Sequence, residues 1–87
     1  VCLSVNDAFV MSAWGADKNA EELIMLADGN GDFTSAVGLE MDGSAFGLGK
    51  RSQRYAMIAE DGVVTALNVE APGAFEVSAA DAIMALL

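Results

Sequence analysis

Apolar residues fall along the chain in short blocks separated by polar turn signals. Val1-Cys2-Leu3-Ser4-Val5 is apolar and β-branched, and predicts a short buried strand. Asn6 or Asp7 can cap a following helix, because a side-chain oxygen there accepts an unpaired first-turn N–H. Phe9, Val10, Ala13 and Trp14 recur at helical spacing and predict its inward face, with Gly15 as its end. The polar, acidic stretch 16–22 reads as a surface connection or an extension of that helix. Leu23-Ile24-Met25-Leu26-Ala27 predicts a second strand, apolar on both faces, and Asp28-Gly29-Asn30-Gly31 a turn. Asp32 then caps a short helix with Phe33, Ala36 and Val37 inward and Gly38 as its stop. The glycine-rich stretch 39–49 predicts an irregular loop.

The strongest local signal follows. Asp61-Gly62 lies between Tyr55-Ala56-Met57-Ile58-Ala59 and Val63-Val64-Thr65-Ala66-Leu67, which is the pattern of a two-residue hairpin turn. Both strands are apolar on either face, so the hairpin is expected between covering layers. Ala71-Pro72-Gly73-Ala74 makes another turn, and Ser78-Ala79-Ala80-Asp81 has the form of a capping box opening a last helix. Ala82, Ile83, Leu86 and Leu87 would be its apolar side. The order is strand, helix, strand, helix, hairpin, helix, an α/β pattern with both parallel crossovers and an antiparallel part.

Composition narrows the function classes. The 87 residues allow one small domain, which buries only about 60–65% of its unfolded surface. A net charge of −9 with four cations leaves no basic stripe, which argues against a nucleic-acid partner. No apolar run approaches the ~18 residues of a membrane span. One cysteine cannot form an internal disulfide, and a reducing, cytoplasmic setting is the default. The chain opens inside a predicted strand without an initiator Met, which is expected of a truncated sequence.

Several candidate sites can be weighed on spacing. Asp28-x-Asn30-x-Asp32 imitates the start of a calcium loop, but Phe33 and Leu39 stand where that loop needs Gly and Glu, so a capped turn is the better reading. Gly47-Leu48-Gly49-Lys50-Arg51-Ser52 departs from both the phosphate-loop and the dinucleotide patterns. Cys2 reads as a small core residue, and the lack of histidine excludes imidazole-based triads and the usual zinc sites. Arg54 is different. Lys50, Arg51 and Arg54 are three of the four cations and gather beside the glycine-rich stretch, which points to an anion or thiolate partner.

Beyond pattern, the chain resembles peroxiredoxins of the type-5, or plant type-II, branch over essentially its whole length. The resemblance is carried by Val1-Cys2-Leu3-Ser4-Val5-Asn6-Asp7-Ala8-Phe9-Val10, Trp14-Gly15, Leu26-Ala27-Asp28-Gly29 and Gly38-Leu39-Glu40-Met41-Asp42. It continues through Arg51-Ser52-Gln53-Arg54-Tyr55-Ala56-Met57, Glu60-Asp61-Gly62-Val63-Val64, Ala66-Leu67-Asn68-Val69-Glu70 and Phe75-Glu76-Val77-Ser78. It implies an α/β, thioredoxin-like sandwich, of which residues 1–87 would be the C-terminal part. The half bearing the peroxidatic Pro-x-x-x-Thr-x-x-Cys loop would then be absent, and Cys2 matches a strand cysteine of this branch rather than the nucleophile.

What the resemblance implies for chemistry is specific. The family reduces hydrogen peroxide and alkyl hydroperoxides through a cysteine sulfenic acid, with no cofactor or metal. Arg54 matches its active-site arginine, and Phe46, Leu48 and Arg51 would contribute to the substrate pocket. Val77 stands where animal members carry a resolving cysteine. A one-cysteine cycle is therefore implied, with glutathione, glutaredoxin or thioredoxin as reductant and a homodimer as the assembly. The rival reading is a non-catalytic thioredoxin-like interaction module.

Overall fold

The computed structural model describes residues 1–87, which divide into two compact units, Val1–Ser52 and Gln53–Leu87. In the first unit, β1 (Cys2–Ser4) pairs in parallel with β2 (Met25–Ala27), in the register Cys2↔Met25, Leu3↔Leu26, Ser4↔Ala27. A parallel pair needs a crossover, and α1 (Ala8–Asp17) provides it. Asp7 is the N-cap, its carboxylate accepting from Val10 N at 2.8 Å. The helix runs through Gly15 rather than ending there, and it turns Met11 and Gly15 inward. Phe9, Val10 and Trp14 stay exposed, Phe9 at 87%. Close approach explains the choice of face. A Cβ on Gly15 would lie 2.9 Å from Met25 Cγ, so the absent side chain lets α1 settle directly on β2.

Asp28 shapes the next turn. Its carboxylate accepts from Phe33 N at 3.1 Å, Thr34 N at 2.9 Å and the Thr34 hydroxyl at 2.7 Å, which satisfies the opening of α2 (Asp32–Ala36). Thr34 is therefore the buried residue of α2, and Phe33 and Val37, expected inside, are exposed. Gly38 closes the helix in the left-handed region, as the sequence predicts.

Residues 39–49 are more regular than expected. β3 (Glu40–Asp42) pairs antiparallel with β4 (Lys50–Ser52), joined by a 3-10 turn at Ser44–Phe46. The glycines fall in the connection, not the strands. At Gly43 a Cβ would meet Leu48 Cβ at 2.9 Å and Gly49 O at 3.1 Å, so only glycine fits this tight return.

The second unit is built on the hairpin of β5 (Tyr55–Glu60) and β6 (Val63–Val69). Glu60 pairs with Val63 across Asp61 (φ 49°) and Gly62 (φ 78°), both in the left-handed region that a type I′ turn requires. The register shifts between Ile58 and Ala59, which leaves Thr65 as the extra residue of a bulge. The hairpin is not covered on both sides: Tyr55 to Ile58 are half-buried, whereas Val63, Val64 and Leu67 are exposed. α3 (Ala80–Met84) packs on β5 with Ala82 and Ile83 half-buried, and Leu86 and Leu87 remain exposed. The expected capping box does not form. Ala79 is the N-cap, without a side-chain bond, because the Ser78 hydroxyl is committed to Glu70.

Candidate active site

Arg54 sits one residue before β5, in the second unit, with its side chain exposed. Its carbonyl accepts from Glu70 N at 2.9 Å, extending the hairpin pairing one step past Tyr55↔Val69. Its guanidinium lies over the Phe75 ring, with Cζ 4.8 Å from the centroid. Such a cation–π contact contributes about 0.5–1 kcal/mol at an exposed site. The contact draws on the guanidinium's charge and not on its N–H donors, which stay available to an anion.

The support beneath this pair is Glu70. Only 7% exposed, its carboxylate oxygen Oε2 accepts from Glu76 N at 2.8 Å, Ser78 N at 2.7 Å and the Ser78 hydroxyl at 2.6 Å. Burial alone would push this carboxyl up. The bonds from the Ser78 hydroxyl and from the Ser78, Val77 and Glu76 amides overcome it and bring the pKa down to about 2. Asn68 adds a second tie, its amide donating to Val77 O at 2.8 Å.

The other sequence candidates lie in the first unit. Arg51 donates from one guanidinium nitrogen to Val5 O and from another to Asn6 Oδ1 at 3.3 Å, which ties β4 to the end of β1. Phe46 and Leu48 are 85% and 56% exposed, and Leu48 and Arg51 flank Gly43. Lys50, the third cation of the cluster, is engaged locally, with Glu40 at 3.2 Å and the Ser35 hydroxyl at 2.9 Å. Cys2 is a half-buried free thiol on β1. Asp28 is fully occupied as a helix cap, and the chain holds no group of three or more His, Cys, Asp or Glu able to bind a metal ion. Glu70 escaped the sequence reading. Its signal is indirect: an acidic residue directly after β6, eight positions before Ser78.

Comparison with known proteins identifies the family. The Redoxin family profile matches residues 1–84. The chain belongs to the redoxin family. The redoxin chain is 53% identical over 83 residues to "Peroxiredoxin-2E, chloroplastic" of Arabidopsis thaliana, covering 92% of this chain and 36% of that protein. It is 47% identical over 88 residues to "Peroxiredoxin-2B" of the same plant, covering 100% of this chain and 54% of the relative. Among solved structures, reduced Prx3 from Vibrio vulnificus in complex with H2O2 is 67% identical with a TM-score of 0.92, covering 97% of this chain and 52% of that one. The expected branch, the plant type-II peroxiredoxins, is thereby borne out, and the redoxin chain carries the thioredoxin-like α/β fold. It spans between about a third and a half of the length of these relatives.

Proposed function

We propose that the redoxin chain is the C-terminal portion of a peroxiredoxin domain, a thiol peroxidase acting on hydrogen peroxide and small alkyl hydroperoxides. A cysteine thiolate, supplied by sequence outside these 87 residues, attacks one peroxide oxygen. The O–O bond breaks, the sulfur becomes a sulfenic acid, and the other oxygen leaves as water or alcohol after taking a proton. Arg54 serves this step. Its positive charge favours the thiolate over the thiol, and its planar donors orient the peroxide and stabilise charge developing on the leaving oxygen. Lysine would keep the charge and lose the fork.

The observation that carries the reading is the placement of Arg54 within a chain similar to peroxiredoxins along its length: seated on Phe75, its donor edge open. Phe46, Leu48 and Arg51, all in the first unit, are substrate-pocket candidates on the resemblance alone, and Arg51 is tied there to Val5 and Asn6. With Val77 where a resolving cysteine would stand, a one-cysteine cycle follows. Glutathione, glutaredoxin or thioredoxin is then the reductant, the assembly a homodimer, and the setting the reducing cytoplasm.

The test is peroxide consumption by the intact polypeptide. Arg54→Lys should slow thiolate oxidation by roughly 10²-fold, and Cys2→Ser should leave it unchanged. Unaltered turnover in R54K, or turnover by the 87-residue chain that C2S abolishes, overturns the assignment.

A further inference from the structure

Glu70 holds a buried carboxylate that the peroxidase chemistry above does not use, and its connections converge on Arg54. The residue works from both ends. Its main-chain N–H donates to Arg54 O at 2.9 Å, which fixes the backbone where Arg54 enters β5. Its side chain gathers Glu76 N, Ser78 N and the Ser78 hydroxyl onto one oxygen, each within 2.8 Å. Asn68 holds Val77 O from the neighbouring position. The segment from Ala71 to Ser78 is therefore pinned at its far end to the strand that it leaves, and Phe75 rides on it. Phe75 is 62% exposed, so burial does not account for where its ring lies; the Arg54 guanidinium 4.8 Å away is its specific neighbour.

We infer that Glu70 and Phe75 are positioning residues for Arg54: the Glu70 carboxylate clasps the 71–78 segment so that the Phe75 ring forms a seat under the guanidinium. An unseated arginine would spread over many rotamers. A ring against the guanidinium removes many of them and takes up none of its N–H donors. Catalysis by an aimed donor is sensitive to displacements of about 1 Å, which can cost 10²-fold. What Arg54 accomplishes rests on the peroxidase reading; where it is held does not.

Two measurements on the intact polypeptide separate those claims. By NMR, the Arg54 side-chain protons should show an upfield ring-current displacement. Phe75→Leu should abolish it, Phe75→Tyr should keep it, and Glu70→Gln should weaken it. Ser78→Ala removes a single bond of the clasp and should weaken it less, which covers the case in which a Glu70 variant fails to fold. By stopped flow, F75L should slow thiolate oxidation about 2- to 5-fold, with F75Y close to the parent rate. In an Arg54→Ala background the same F75L change should cost nothing further, since a positioning residue has nothing left to position. A displacement absent from the parent, or unmoved by E70Q and S78A alike, overturns the inference. So does an equal rate penalty for F75L in both backgrounds. If the intact polypeptide consumes no peroxide, the functional reading falls and the NMR outcome alone decides the seat.

Discussion

Glu70 and Asp28 are the two buried carboxylates of the chain, and both spend their oxygens on backbone amides and a hydroxyl rather than on a cation. Both are held below the usual carboxylate range. For Asp28 the Thr34 hydroxyl is the leading cause, with the Thr34 and Phe33 amides, against opposing burial. The folded pKa of Glu70, about 2, lies below its ordinary value of 4.5, so its contribution to stability is complete above about pH 4.5. That contribution is lost as pH falls from there toward 2. Urea titrations of the folded protein across this window should show stability falling in acid, and Glu70→Gln should flatten the dependence. An acid limb of undiminished slope in E70Q would show that other groups carry it. Asp28→Ala should lower the unfolding midpoint more than Asp32→Ala, because Asp28 rather than Asp32 satisfies the α2 amides. Asp28 is half legible in the sequence: its turn is predicted, but the pattern offers Asp32, four residues on, as the cap. Glu70 was not legible, because its partners lie six and eight residues on. Ser78 looked like a local helix cap only because its competing acceptor was out of view.

At the scale of the element, what was legible was whatever depends on local backbone preference. The Asp61-Gly62 hairpin formed where the sequence placed it because positive φ at both positions is a property of the dipeptide. Gly62→Ala should therefore destabilise the protein by about 1–2 kcal/mol, the penalty of a Cβ in the left-handed region, and Asp61→Asn should be nearly neutral. Denaturant midpoints measure both, and a neutral G62A would mean that the turn can relax to another type. Glycine misled elsewhere. Gly43, Gly47 and Gly49 suggested an irregular stretch, yet they make the tight connection of a β3–β4 pair. Helix faces were the least legible feature. Periodicity marked Phe9, Val10 and Trp14 in α1, but the face that turned inward was chosen by how closely Gly15 lets the helix approach Met25, a fact about volume rather than hydropathy.

For the whole molecule, hydrophobic content and hydrophobic burial diverge. Val5, Met11 and Leu39 are the buried apolar side chains, while Phe9, Phe46, Leu87, Val1 and Ile24 are each more than 60% exposed. The predicted fold class did not depend on this distribution; it followed from element order and from likeness to the redoxin family. Stability does depend on it. Burial of apolar area is the dominant favourable contribution to folding, and exposed apolar surface on this scale marks faces that other polypeptide covers. The 87-residue chain on its own should therefore behave as a loosely packed state. It should bind the dye ANS, give a weak near-UV CD signal despite retained far-UV structure, and unfold in urea over a broad range. It should also associate as concentration rises, since β6 presents Val63, Val64 and Leu67 to solvent. Sedimentation beside urea denaturation decides the matter: a stable monomer with a sharp transition worth several kcal/mol would mean that three buried apolar side chains suffice, and that the uncovered faces need no partner.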